Sequence, residues 1–237
     1  MINFIANPRT LQFPPAELAS PEGLLAVGGD LSSARLLQAY RQGIFPWYNP
    51  GQPILWWSPD PRTVLFPEKL RVSRSLAKTL RHTTFRVTLD TAFEQVIDAC
   101  AAPRRNSPSG GTWITSEMRA AYCQLHHEGY AHSVEVWKGP ALAGGLYGIS
   151  LGSAFFGESM FSRETDASKI ALAHLVRQLE SWKFSVIDCQ VASRHLFTLG
   201  AEEIPRQAFL ALLKTALERP DHTGLWRFEH GGIRHDN

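Results

Sequence analysis

Ala141-Leu142-Ala143-Gly144-Gly145-Leu146-Tyr147-Gly148-Ile149-Ser150, followed by Ser153-Ala154-Phe155-Phe156-Gly157-Glu158-Ser159-Met160, is the stretch whose reading decides the fold. Two glycine-punctuated apolar runs of this length read as strands of a meander, with residues 133–138 alternating as a further strand before them. Upstream the spacing predicts a strand at 64–66, a basic helix at 73–81, a strand at 85–88, and helices at 92–100 and 115–128. Downstream come a long amphipathic helix at 168–183, a short apolar strand at 185–189, a helix at 193–199 and a final helix at 205–217. The class is α+β with a mainly antiparallel sheet.

Residues 1–62 have a different texture. Pro14-Pro15, Gly28-Gly29-Asp30, Phe45-Pro46-Trp47 and Trp56-Trp57-Ser58-Pro59-Asp60-Pro61 surround one clear helix at 32–42. That helix has Leu36, Leu37 and Tyr40 at helical spacing and Gly43 as its stop. The proline-rich stretch at 58–62 reads as a boundary, giving a small N-terminal domain at 1–62 and a larger one at 63–237. With 237 residues, 44% of them hydrophobic and 19% charged, the chain is long and apolar enough to bury a core, which excludes the disordered and collagenous classes.

A net charge of +2 supplies no global field toward nucleic acid or membrane, so any such contact needs a local patch. Cys100, Cys123 and Cys189 are far apart and odd in number, the pattern of reduced thiols rather than a disulfide framework or zinc site. No segment reads as a secretory signal or a membrane span, so a cytoplasmic protein is expected.

Meander, long helix, strand, helix is the element order of a GNAT-like acyltransferase. The glycine-rich loop that would cradle a coenzyme A pyrophosphate ahead of the long helix is missing, so the acyl donor need not be a coenzyme A thioester. Asp188-Cys189-Gln190 ends the apolar strand Phe184-Ser185-Val186-Ile187, and alternation puts Asp188 and Gln190 on one face and Cys189 on the other. A carboxylate beside an amide can hold an amine, accept its proton and orient a carbonyl; equally, Asp188 can cap the helix at Ser193. Glu158 lies inside the aromatic run 155–161, where a carboxylate is either paired or shifted in pKa. Cys189 has no base or electropositive setting in the sequence to make it a nucleophile. The nine histidines show no metal spacing.

Arg74, Lys78 and Arg81 recur at helical spacing as a basic stripe, either an ordinary solvated face or a grip on RNA phosphates. Trp47, Trp56, Trp57 and Trp113, the last in Gly110-Gly111-Thr112-Trp113, favour the second reading. Bases stack on such plates with about 1–3 kcal/mol each.

Six motifs, in order, resemble those of the bacterial leucyl/phenylalanyl-tRNA–protein transferase family. They are Gly28-Gly29-Asp30-Leu31, Tyr40-x-x-Gly43-Ile44-Phe45-Pro46-Trp47, Trp56-Trp57-Ser58-Pro59-Asp60-Pro61-Arg62, Gly111-Thr112-Trp113-Ile114, Gly157-Glu158-Ser159-Met160-Phe161-Ser162 and Asp188-Cys189-Gln190. The resemblance implies transfer of Leu or Phe, with Met as a third donor, from aminoacyl-tRNA to the α-amino group of a protein beginning with Arg or Lys, creating an N-degron. No cofactor is expected, because the donor ester is already activated and the nucleophile is the acceptor's own amine. With a pKa near 7.7–8.0, about a tenth to a sixth of that amine is neutral at pH 7.

The resemblance further implies that Asp188, Gln190 and Glu158 form the reacting centre. Asp188 would take the amine proton, Gln190 would orient ester and amine, and Glu158 would hold the acceptor. Trp47 and Trp113 would flank the tRNA's terminal adenosine. Leu146, Phe155 and Ile187 would line the donor side-chain pocket, and Arg74, Lys78 and Arg81 would contact the tRNA backbone. Phe156 is bulkier than the small residue the resemblance leads one to expect beside that pocket. The partners implied are Leu-tRNA, Phe-tRNA and a protein or peptide acceptor, with a monomeric enzyme and no metal. Two other readings stay open on the residues alone: a non-catalytic tRNA or N-degron binding module, and a coenzyme A-dependent N-acetyltransferase.

Overall fold

The computed structural model describes residues 3–5, 10–82, 84–102 and 114–228. Its smaller sheet is built from Asn3–Ile5 (β1), Leu24–Gly28 (β2), Phe45–Pro46 (β3) and Leu55–Trp57 (β4), in the order β1-β2-β4-β3, beside the helix Ser33–Arg41 (α1). The sequence pattern predicts the helix here but none of the strands. They are two to five residues long and interrupted by Pro and Gly, so no period-2 pattern develops.

The larger sheet has seven strands: Arg62–Leu65 (β5), Arg86–Leu89 (β6), Ala131–Lys138 (β7), Ala141–Leu151 (β8), Ala154–Ser162 (β9), Val186–Gln190 (β10) and Glu202–Ile204 (β11). Their order is β11-β5-β10-β9-β8-β7-β6, and every neighbouring pair is antiparallel except β9 with β10. The class is therefore mixed, with one parallel pair in a mainly antiparallel sheet. The remaining helices are Arg74–His82 (α2), Phe93–Ala101 (α3), Ser116–His127 (α4), Ala167–Ser181 (α5), Arg194–Thr198 (α6) and Arg206–Ala216 (α7).

These helices cover both faces of the sheet. On one, α5 buries Ile170, Leu172, Leu175, Val176 and Leu179 against Leu146, Phe155 and Ile187, with Leu76 and Leu80 of α2 joining the cluster. On the other, α1, α3, α4 and α7 pack on Tyr147, Ile149 and Phe156. Each such apolar side chain removed from water contributes about 1.5–3 kcal/mol. Because Leu146 and Tyr147 are consecutive on β8, the pleat sends them to opposite faces. Gly148 is required where it stands: a Cβ there would lie 2.6 Å from the Phe155 ring and 2.2 Å from the Phe156 carbonyl oxygen. The four-stranded sheet ends at Trp57 and the seven-stranded sheet begins at Arg62, yet one apolar cluster runs from Leu25, Leu36 and Tyr40 to Tyr122, Tyr147 and Phe209.

Three irregularities position the site. The parallel pairing joins residues 186–188 to 154–156 and stops there, while β9 continues beside β8, so β9 and β10 part. Between β8 and β9 the register steps from Tyr147–Ser159 to Gly148–Gly157, leaving Glu158 as the extra residue of a bulge. Between β10 and β5 it steps from Asp188–Val64 to Gln190–Thr63, leaving Cys189 extra, and Gln190 takes a positive φ of 65°. Bulges of this kind re-aim side chains.

Candidate active site

A cavity of about 1030 Å³ occupies the gap where β9 and β10 part. It is lined from both faces of the sheet. On the α5 face its wall is mainly apolar, with Leu146, Phe155, Met160, Leu172, Leu175 and Ile187, and Ser168 and His195 also line it. On the opposite face it meets Tyr147, Glu158 and Ser159, and Ala99 and Cys100 near the C-terminal end of α3. Gly157 and Gln190 stand at the junction. The three residues expected to hold the donor side chain, Leu146, Phe155 and Ile187, thus share one apolar wall. Phe156 does not line the cavity; it points to the other face and packs on the Tyr40 ring with centroids 5.1 Å apart, so its bulk does not narrow that wall.

Glu158 and Gln190 are brought together by the two bulges, with Gln190 Nε2 donating to Glu158 Oε1 at 2.9 Å. The same oxygen accepts from the Tyr40 hydroxyl at 2.6 Å, and Oε2 accepts from Tyr122 at 2.9 Å. Burial pushes the Glu158 carboxyl up to about 7, against these three hydrogen bonds, which favour the carboxylate, while the Asp188 charge adds to the rise. The two phenol oxygens are themselves 2.5 Å apart. When the carboxyl holds a proton, Oε2 donates to Tyr122 in place of accepting from it, Tyr122 donates to Tyr40 and Tyr40 to Oε1, so that three protons fill the three contacts. Both phenols are pushed well above the ordinary tyrosine range, mainly by burial and next by the Glu158 charge, and so remain donors.

Asp188 departs from the expected placement. It is fully buried and does not line the cavity, and its carboxylate is gripped bidentately by Arg62, Nε to Oδ1 at 2.7 Å and Nη2 to Oδ2 at 2.6 Å. Arg62, also fully buried, donates from Nη1 to the Gly43 carbonyl at 3.1 Å and lies over the Phe45 and Phe209 rings. The simple alternation that put Asp188 and Gln190 on one face fails because the bulge turns Gln190 toward the cavity. What links them is the Gln190 backbone N–H, which donates to Asp188 Oδ1 at 2.9 Å. Ser193 caps its own helix, its hydroxyl accepting from the Leu196 N–H, so Asp188 does not serve as that cap. The Cys189 thiol lines the cavity, but burial and the neighbouring Asp188 push its pKa far up, the opposite of nucleophile activation.

Of the aromatic plates, Trp47 is 43% exposed and Trp57 is tilted against it at 6.1 Å, with its indole N–H donating to the Trp47 carbonyl. Trp56 is entirely buried, with its N–H on the Gly28 carbonyl, and serves the core instead. Trp113 and its glycine loop lie outside the described residues. Arg74, Lys78 and Arg81 are all exposed on α2, whose buried side is Leu76 and Leu80. Arg62, Tyr40, Tyr122 and Tyr147 are site residues that the sequence pattern does not reveal. Arg62 and Tyr40 stand inside two of the six motifs, but nothing local marks a partner 126 or 118 residues away. Among the described residues, no group of three or more His, Cys, Asp or Glu side chains is disposed to hold a metal ion, and no helix is long and apolar enough to cross a membrane.

Residues 64–214 match the family described as leucyl/phenylalanyl-tRNA protein transferase, and residues 29–60 match its N-terminal domain. A leucyl/phenylalanyl-tRNA–protein transferase of Cellvibrio japonicus is 60% identical over 216 residues, covering 90% of this chain and 91% of the relative. One from Nitrosomonas europaea is 58% identical over 219 residues, covering 92% of each. Among solved structures, a GCN5-related N-acetyltransferase from Kribbella flavida aligns with a TM-score of 0.37 at 12% identity, over 72% of this chain and 59% of that one. L-PGS from Bacillus licheniformis also gives 0.37, at 8% identity over 69% and 52%. At that distance the fold is defined by the strand order itself.

Proposed function

This chain belongs to the leucyl/phenylalanyl-tRNA–protein transferase family and is an aminoacyltransferase, and from that premise we propose that it moves Leu or Phe, with Met as a third donor, onto the α-amino group of proteins that begin with Arg or Lys, in the cytoplasm, creating an N-degron. The parting of β9 and β10 supports a GNAT-like catalytic unit after residue 62, with residues 1–62 as a smaller N-terminal unit.

The observation that carries the reading is the Gln190–Glu158 pair at the junction of an apolar and a polar half of one cavity. The donor's side chain lies on the apolar wall of Leu146, Phe155 and Ile187, and Gln190 orients the ester carbonyl and the incoming amine. As the amine nitrogen bonds to the carbonyl carbon, Glu158 takes the amine proton; as the ester C–O bond breaks, that proton passes to the departing ribose oxygen of the tRNA. A carboxyl at about 7 is matched to both transfers. Asp188 acts through Arg62 and the Gln190 N–H, holding the turn that aims Gln190. Trp47 and Trp113 flank the terminal adenosine, while Arg74, Lys78 and Arg81 hold the acceptor-arm backbone without reading sequence.

The test mixes the protein with Leu-tRNA and a peptide beginning with Arg and follows the peptide's mass. The reading expects a gain of one leucine residue, and none when the peptide's α-amine is acetylated. Binding of the tRNA with no adduct would favour a non-catalytic binding module instead.

A further inference from the structure

Phe155 is part of the donor wall, and beside it stands an aromatic residue that does not itself line the cavity. The Trp226 ring, 2% exposed, lies 5.9 Å from the Phe155 ring and belongs to the same apolar cluster as Leu146, Leu172 and Ile187. The β8 backbone confines Phe155 as well, because its ring edge fills the place beside Gly148, 2.6 Å from where a Cβ would stand. In a close-packed interior, a shift of the Phe155 ring away from the cavity therefore requires Trp226 to yield.

Trp226 is built not to yield. It comes from the segment after α7, whose Asp221 accepts from the Gly152 N–H at 2.7 Å and pairs with Arg41 at 2.7 Å, and whose Gly224 N–H donates to the Gly129 carbonyl at 3.1 Å. The Trp226 backbone N–H donates to Asp90 Oδ2 at 2.7 Å. The same oxygen accepts from His132 Nδ1 at 2.8 Å, and the His132 ring stacks on Trp226 with centroids 3.7 Å apart and planes 8° from parallel. The indole N–H donates to the His222 carbonyl at 2.9 Å, and Trp182 meets the indole at 72° and 4.9 Å. A buried indole with both its N–H groups bonded and its ring stacked is a fixed wall rather than a loose filler.

Resting on the transferase reading above, we infer that Trp226 is a positioning residue for donor selection: by fixing the Phe155 ring it sets the depth of the donor pocket, and with it the balance between Leu and Phe. An apolar pocket separates side chains of different size by fit alone, so its discrimination depends on walls that hold still. Asp90 and His132 act on that wall through Trp226.

The experiment uses the full-length protein and an Arg-initiated peptide, with Leu-tRNA and Phe-tRNA as alternative donors, and reads the ratio of their kcat/KM values. Trp226→Leu, which opens space beside Phe155, should raise the Phe-to-Leu ratio about tenfold and leave the KM for the peptide unchanged. Trp226→Phe, which keeps a ring against His132, should raise the ratio by a smaller factor, and carries the test if Trp226→Leu does not fold. Leu225→Ala, at a 65% exposed position on the same segment, should leave the ratio as it is. In a Phe155→Leu background Trp226→Phe should no longer move the ratio, a coupling that loss of stability, which lowers both donors alike, does not produce. An unchanged or lower Phe-to-Leu ratio in the folded Trp226 variants would overturn the inference while leaving the transferase reading intact. Absence of transfer by the wild-type protein from either donor would remove that reading, and the inference with it.

Discussion

Gln190 Nε2 lies 2.9 Å from Glu158 Oε1, and that single bond joins two bulges on neighbouring strands just beyond the point where those strands stop pairing. A regular β9 and β10 would carry residues 158 and 190 past one another. The extra residue on each strand turns both side chains into the gap instead.

The protonation of Glu158 has a consequence for stability. Its folded value of about 7 lies above the ordinary 4.5, so its contribution is fully present below about pH 4.5 and is lost as the pH rises through about 7. Glu158→Gln keeps the site neutral throughout. Thermal melts should therefore show the variant and wild type alike at pH 5 and the variant more stable at pH 8, by ~1–2 kcal/mol after allowance for partial exposure.

Arg62 and Asp188 are both fully buried, so removing one partner strands the other charge. Asp188→Asn should lose about 3–5 kcal/mol in denaturant melts. The double variant Arg62→Met with Asp188→Leu should recover most of that stability but not transfer activity, because Gln190 loses the acceptor of its N–H. Recovery of both would show that the pair has no part in aiming Gln190.

At Gly157 an added Cβ would have the Asp188 carbonyl oxygen, 3.7 Å away, as its one neighbour within 4 Å. Gly157→Ala should thus fold normally, yet place a methyl in the gap through which donor and acceptor must meet. A drop in kcat of tenfold or more with an unchanged Tm is expected, read by single-turnover transfer and calorimetry.

On α2, Arg74, Lys78 and Arg81 are exposed and bind no described acidic partner in an ion pair. Every phosphate that a variant no longer neutralises should reduce the slope of log K against log salt by about 0.7–0.9. Replacing all three by Ala should weaken tRNA binding at low salt and flatten its salt dependence, measured by titration at several ionic strengths, while Tm is unaffected.

Much of the fold was legible because long elements carry long patterns. The helix expected at 168–183 is Ala167–Ser181, the one at 205–217 is Arg206–Ala216, and the meander is β7, β8 and β9. The short strands β1 to β4 and β11 carry too few residues to show a period. At the site, residue types pointed to Glu158 and Gln190, but the bulges that unite them depend on pairing across strands. Those bulges also leave Asp188 behind with Arg62. The Tyr40 and Tyr122 hydroxyls that hold Glu158 come from helices distant in sequence, a relationship only the folded chain contains.

The central claim, that Glu158 takes the amine proton, is tested most directly by single-turnover transfer from Leu-tRNA to an Arg-initiated peptide between pH 5.5 and 9, comparing wild type with Glu158→Gln. The ratio of the two rates cancels the acceptor amine's own ionisation. The ratio should rise through an apparent pKa of about 7 to a plateau of about a hundredfold or more. A ratio near one, or one independent of pH, would contradict the assignment.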